Sequence, residues 1–228
     1  MINAKLIIDF DSTFIKIETL DALADIVFED CSNKHIIINK IKKITSEAMR
    51  GDIPFDRALS ERIKLLNAKK ENINQTISLI KNNISNTVIS NKKFFLENSK
   101  HIYIVSGGFK EIILPIVKTF GIKQENIFAN NFKYDDSNHI KSIDKKNLLS
   151  KDKGKVYALK ELKNKLNSRK KYIIIGDGYT DYELKKYKEV DIFIQYIENI
   201  NRKSLNEKAD IIANDFNEVI NYIEKIKC

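Results

Sequence analysis

Residues 5–13 read Lys5-Leu6-Ile7-Ile8-Asp9-Phe10-Asp11-Ser12-Thr13, a short apolar run that ends in two carboxylates. Apolar residues without alternation, cut off by acid, predict a strand over Lys5–Phe10 that is buried on both faces, as in a parallel sheet. The same grammar returns twice. His101–Val105 (HIYIV) runs into Ser106-Gly107-Gly108, and Tyr172–Ile175 (YIII) runs into Gly176-Asp177-Gly178; helical segments are expected after them over Lys110–Phe120 and Asp181–Lys188. Strand, polar or glycine-rich turn and helix, three times over, predict an α/β fold: a three-layer, doubly wound parallel sheet with its site at the carboxyl ends of the strands. Asp191–Gln195 and Asp210–Ala213 are weaker candidates for a fourth and fifth strand.

Between the first and second units, Ile15 to about Asn91 carries only Gly51 and Pro54 as breakers, with apolar residues at helical spacing such as Leu20, Leu23, Ala24 and Val27. Helices are expected over Glu18–Phe28, Ile36–Arg50, Pro54–Leu66 and Ile73–Asn83. The economical organisation is an α/β core formed by residues 1–14 and 84–228, with residues 15–83 inserted as a helical cap over the strand ends. Phe128–Ile143 alternates around Asp135–Asn138 and suggests a hairpin near the same rim. Lys163–Lys171 reads as a solvated, lysine-rich loop.

Composition narrows the function classes. The 228 residues are 43% hydrophobic and 31% charged, which excludes a disordered chain. A net charge of +9 invites a polyanion reading, but the only arginines are Arg50, Arg57, Arg62, Arg169 and Arg202. Base readout leans on the planar arginine fork, which lysine lacks, so no nucleic-acid partner is expected. No apolar stretch approaches the roughly 20 residues of a membrane helix, and the N-terminus lacks a secretory pattern. Cys31 and Cys228 make neither a disulfide framework nor a zinc spacing. A soluble, cytoplasmic protein is expected, with no obligate protein partner evident.

The three strand ends carry the chemistry. Past the end of its strand the chain turns, so Asp9 and Asp11 can both face one pocket. One carboxylate can attack phosphorus while the other protonates the leaving oxygen and then activates water. Ser106-Gly107-Gly108 offers a hydroxyl and unobstructed amides as a phosphate cradle. Gly176–Asp181 supplies oxygen ligands suited to Mg2+. Taken singly, each has a plain structural reading: a turn or helix cap at Asp11 and Ser12, a turn at Ser106–Gly108, a turn with Asp181 as N-cap. Their conjunction is what Mg2+-assisted phosphoryl transfer needs, namely nucleophile, phosphate cradle and metal carboxylate. A P-loop is absent, which argues against an ATP-dependent kinase.

With these motifs in this order, the chain resembles the haloacid dehalogenase superfamily of phosphatases, and within it the phosphoserine phosphatase group. Asp9–Thr13 matches the first motif, DxDST; Ser106-Gly107-Gly108 the second; Lys153-Gly154 the third, with Lys151 and Lys155 as neighbouring rivals; and Gly176–Asp181 the fourth. The resemblance implies an aspartyl-phosphate on Asp9 and Mg2+ held by Asp9, Asp177 and the backbone carbonyl of Asp11, which also serves as general acid and base. It makes Ser106, Gly107 and Gly108 phosphate ligands, Lys153 the neutralising cation, and Asp181 a support for the metal carboxylates or for Lys153. Glu18 and Arg62 take the positions that meet the amine and carboxylate of a small phosphorylated metabolite, with O-phospho-L-serine as the expected substrate. Thr180 stands where an asparagine is usual and could touch substrate. The remaining readings are a phosphatase or phosphotransferase for another small metabolite, and a non-catalytic polyanion-binding module.

Overall fold

The repeated strand pattern is realised in a parallel sheet. The computed structural model describes residues 2–226. Eight strands run through them: β1 (Ala4–Ile8), β2 (Ile102–Phe109), β3 (Ile127–Asn130), β4 (Phe132–Tyr134), β5 (Ile140–Ile143), β6 (Lys171–Gly176), β7 (Ile192–Tyr196) and β8 (Ile211–Ala213). Six of them form one sheet in the order β3-β2-β1-β6-β7-β8, all parallel, and β4 and β5 pair as a separate antiparallel hairpin. The chain runs outward from β1 on one side and later restarts on its other side at β6. That reversal is the position where open α/β sheets build their sites.

Side chains alternate between the two faces with the period of a strand. Ile7, Tyr103, Ile174 and Phe193 pack on Leu159 and Leu162 of helix α8 (Gly154–Leu166) and on Leu184 of α9 (Tyr179–Lys186). Leu6, Ile8, Ile104, Ile173, Ile175 and Ile194 face the other way, toward Ile112, Ile113 and Ile116 of α7 (Lys110–Val117) and Val219 of α10 (Phe216–Lys225). Each such aliphatic side chain contributes about 1.5–3 kcal/mol when fully buried, which explains why the strands read as continuous apolar runs.

Between β1 and β2 the chain forms α1 (Thr19–Val27), α2 (Lys34–Arg50), α3 (Phe55–Leu66) and α4 (Lys70–Lys81), then α5 (Asn86–Ser90) and α6 (Lys92–Asn98). Helix α2 stops where Gly51 takes φ 81°; the N–H groups of Gly51 and Asp52 close back on Ala48 and Glu47 at 3.0 and 2.9 Å. The α3–α4 link joins the β4–β5 hairpin, with Ile140 N–H donating to Ala68 O (2.7 Å) and Lys70 N–H to Asn138 O (2.9 Å).

Three expectations need correction. Phe128 belongs to β3 in the main sheet, so the hairpin begins only at Phe132. Lys163–Leu166 is the last turn of α8 and not loop; Lys163 is anchored to Glu189 at 3.1 Å. Ser106–Gly108 stays extended within β2, with an irregular register against β3 between Val105 and Phe109. Cys31 is an exposed free thiol, and Cys228 lies outside the described residues. Among the described residues no helix is long and apolar enough to cross a membrane.

Candidate active site

Strand register brings the three motif ends level. Ile8 lies beside Ile104 of β2 and Ile175 of β6, and the ladder continues as Asp9 N–H donates to Ile175 O at 3.0 Å. One carboxylate oxygen of Asp9 accepts from Phe10 N–H (2.7 Å) and the other lies 2.9 Å from Lys155 Nζ. The chain then kinks through Ser12, a non-glycine residue in the left-handed region at φ 54°. The kink turns Asp11 back to the first residue of α1, where Thr19 donates its N–H (3.0 Å) and hydroxyl (3.1 Å) to the two carboxylate oxygens. Burial pushes the Asp11 carboxyl well above the ordinary range, and the Glu18 and Asp9 charges add to the shift, opposed by Thr19.

The lysine of the cluster is Lys155, not Lys153. Lys153 caps α8 at φ 54°, its side chain 39% exposed, 3.7 Å from Asp152 and over the Tyr187 ring. Lys155 is 5% exposed and bridges Asp9 (2.9 Å) and Asp181 (2.7 Å). The reason is helical phase. A Cβ on Gly154 would come within 2.5 Å of Leu148 O, so the glycine lets α8 start hard against the preceding turn. From there Lys155, Ala158, Leu159 and Leu162 form its buried stripe. Burial works against the Lys155 charge, but Asp181 and Asp9 hold its pKa above the usual value.

Gly178 is the N-cap of α9, and Asp181 sits three residues in, accepting from Gly178 N–H at 3.1 Å. Carboxylate oxygens of Asp9, Asp177 and Asp181 lie within 4.8 Å of one another. Burial raises Asp177 to about 7 against the pull of Arg202, and it raises Asp181 with help from the Asp9 charge. Five buried or nearly buried carboxylates, those of Asp9, Asp11, Glu18, Asp177 and Asp181, face three cations, Lys155, Arg202 and Arg62. An all-oxygen donor set with surplus negative charge fits a hard divalent cation.

The rest of the pocket comes from β2 and the helical insert. Ser106 is buried and accepts from Gly108 N–H at 3.0 Å, while Asn130 Nδ2 holds Gly107 O (2.9 Å) and Leu149 O (3.1 Å). Opposite them stand Glu18, which accepts from Ser12 Oγ at 2.8 Å, and the buried Arg62. Arg62 donates to Ala58 O (3.3 Å) and Thr45 Oγ1 (3.2 Å), yet among the described residues no carboxylate pairs with it within 4.0 Å. The Thr180 hydroxyl lines the same space without a hydrogen-bond partner among the described residues. The space among these side chains that water-sized molecules could occupy is about 20 Å3, room for about one water, so the site is tightly closed.

Sequence reading missed Arg202, which donates to Asp177 at 2.8 Å and reaches Glu18 at 3.3 Å. It also missed Thr13, which donates to the other Asp177 oxygen at 3.0 Å. Arg202 lies in a loop with no periodicity; its one signal is scarcity, an arginine in a basic set that is nearly all lysine.

A parallel sheet with an acid pair, a Ser-Gly-Gly cradle and a buried Lys–Asp pair on its strand ends defines the phosphatase class of the haloacid dehalogenase superfamily. No protein-family model matches the chain. The chloroplastic phosphoserine phosphatase of Arabidopsis thaliana is 30% identical over 216 residues, 95% of this chain and 70% of that one. A crystal structure of a phosphoserine phosphohydrolase-like protein from Francisella tularensis superposes with a TM-score of 0.86 at 28% identity, covering 96% of this chain and 99% of that one. A phospho-aspartyl intermediate analogue of phosphoserine phosphatase superposes with a TM-score of 0.77 at 25% identity, covering 96% and 98%. The chain belongs to the phosphoserine phosphatase family.

Proposed function

We propose that this protein hydrolyses O-phospho-L-serine to serine and phosphate through an aspartyl-phosphate on Asp9, with residues 15–83 acting as a cap over a core of residues 1–14 and 84–228. The observation that carries the substrate reading is Arg62, a buried guanidinium with no carboxylate within 4.0 Å among the described residues, facing Glu18 across a pocket that also holds Ser106 and Lys155. A zwitterionic amino acid phosphate supplies what is missing: a carboxylate for Arg62, an ammonium for Glu18 and a phosphoryl group for the strand ends.

Asp9 attacks phosphorus, the ester P–O bond breaks, and the departing seryl oxygen takes a proton from Asp11. Asp11, now ionised, takes a proton from water, whose oxygen attacks the same phosphorus; the bond to Asp9 breaks and phosphate is released. The raised pKa of Asp11 supports its starting the cycle protonated. Ser106 and the Gly107 amide hold phosphoryl oxygens, while the Gly108 amide, expected to join them, is already given to Ser106 Oγ and orients that hydroxyl; Lys155 balances the charge of Asp9 in the role expected of Lys153. Asp9, Asp177 and the Asp11 carbonyl would hold Mg2+, with Asp181 beside them; bound there, the ion neutralises charge on the phosphoryl oxygens. Thr180 can offer its hydroxyl to the phosphate or serine moiety. A chain of this size with only two cysteines, Cys31 and Cys228, builds no disulfide framework, which supports a reducing, cytoplasmic setting.

Phosphate release with Mg2+ from O-phospho-L-serine, O-phospho-L-threonine, a phosphosugar and p-nitrophenyl phosphate tests the reading. Phosphoserine is expected to dominate, and Asp9→Asn to form no phosphoenzyme. Arg62→Ala should raise KM for phosphoserine about 10- to 100-fold, the worth of a charge-assisted hydrogen-bond pair, and barely alter p-nitrophenyl phosphate. Equal effects on both substrates would make Arg62 structural.

A further inference from the structure

The helical insert leaves the sheet through Thr13–Lys16 and returns through Asn83–Ser85, and the two segments run side by side as a neck. Lys16 N–H donates to Asn83 O (2.7 Å), Ser85 N–H to Phe14 O (3.1 Å), and Ser85 Oγ to Thr13 O (2.8 Å). Into this crossing a third segment sends one side chain. Asn199 Nδ2 lies 2.7 Å from Ser85 Oγ, 3.1 Å from Ser12 O, and 3.3 Å from both Thr13 O and Ile15 O. Three of these neighbours are carbonyls, and Ser85 has already given its proton to Thr13, so all four are acceptors. The amide can stand only with its nitrogen here.

The loop that carries Asn199 is itself held. Glu198 accepts from Thr87 N–H at 3.2 Å and from the hydroxyls of Thr87 and Tyr196, while Gln195 Nε2 donates to Arg202 O at 3.1 Å. Asn199 therefore reaches the neck from a fixed base. One of its acceptors belongs to Ser12, whose left-handed backbone lies between Asp11 and Glu18 and whose hydroxyl orients Glu18. A strained non-glycine residue persists only where its surroundings over-determine it, and Asn199 supplies part of that determination.

We propose that Asn199 is a positioning residue: by clasping both strands of the neck and the Ser12 turn, it sets where Glu18 and Arg62 stand relative to Asp9. It touches neither substrate nor metal ligand, and its effect falls on substrate recognition by the insert more than on the phosphoryl chemistry of the strand ends. The inference rests on the phosphoserine reading above.

The test compares Asn199→Ala with Asn199→Asp, which keeps the shape but turns an acceptor toward three carbonyls. For O-phospho-L-serine, kcat/KM is expected to fall about tenfold or more, mainly through KM, as one or two positioned hydrogen bonds are lost, with the aspartate the worse of the two. For p-nitrophenyl phosphate the fall is expected to stay under about threefold, since that substrate has no amine or carboxylate for the insert to hold. Amide hydrogen exchange at Lys16 and Ser85 should speed up, while exchange at Ile7 and Ile174 in the sheet stays as it is. Equal losses on both substrates, or unchanged exchange at Lys16 and Ser85, overturn the proposal. Should either variant fail to fold, Ser85→Ala removes one arm of the clasp and is held to the same two criteria. If the unmodified protein shows no preference for phosphoserine, the substrate reading fails, and the exchange measurement alone decides Asn199.

Discussion

Residue by residue, the site turns on how few cations serve how many carboxylates. Among the described residues Lys155 alone bridges Asp9 and Asp181, so Lys155→Met should lower kcat by about 100- to 1000-fold, the range for removing a preorganised charge from a reacting centre, while Lys153→Ala stays within about twofold. Phosphate release and phosphoenzyme yield measure both; a severe Lys153 defect with an active Lys155 variant would restore the original assignment. Asp9, Asp11, Ser106, Asp177 and Asp181 were legible because each follows a recognisable strand or glycine turn. Lys155 was legible only as a rival of Lys153, because choosing between neighbours requires helical phase. The usable signal was a lysine on the buried stripe of α8, in register with Leu159 and Leu162. Arg202 and Asn199 lie on a loop, where no period links sequence to direction, and their partners are more than 180 positions away in the case of Glu18 and Ser12.

Among the elements, glycines mark where two pieces touch. A Cβ on Gly176 would fall 2.3 Å from the Asp181 carboxyl carbon, so the end of β6 and the first turn of α9 fit only without a side chain. Gly176→Ala is expected to destabilise the fold by about 1–3 kcal/mol through overpacking and to cut activity further by displacing Asp181 from Lys155. Thermal melting and turnover together check this; full activity would mean that Asp181 can move without loss. The strands that line the site were readable as apolar runs, and the four helices of the insert as amphipathic periods. Helix α8 escaped because Lys155, Lys160, Lys163 and Lys165 dilute its apolar stripe to a weak pattern. β3 escaped because four residues, IFAN, show neither length nor alternation and were absorbed into the neighbouring hairpin.

For the molecule as a whole, the buried acids dominate the response to pH. Asp177 and Glu183 are each raised to about 7, mainly by burial, and Asp11, Glu18 and Asp181 are raised as well. Between the unfolded carboxylate range near 4 and about 7 the native state binds more protons than the unfolded chain, so this contribution to stability is present at low pH and lost as pH rises through 7. A cation bound among Asp9, Asp177 and Asp181 compensates the same charges and competes with protons. The melting temperature in EDTA should therefore fall from pH 6 to pH 8, and the gain on adding Mg2+ should be larger at pH 8 than at pH 6; a gain that is constant or grows on acidification would contradict the carboxylate assignment. The sheet order has a consequence for biosynthesis. β1 is translated first, yet it lies between β2 and β6, and β6 begins only at Lys171. While the ribosome is still elongating, the strand that ends in Asp9 waits without one of its flanks, and neither Asp177 nor Asp181 has been made. The nascent polypeptide thus carries Asp9 without Asp177 and Asp181 until β6 and α9 have left the exit tunnel, and without Asn199 and Arg202 until the loop after β7 has followed them.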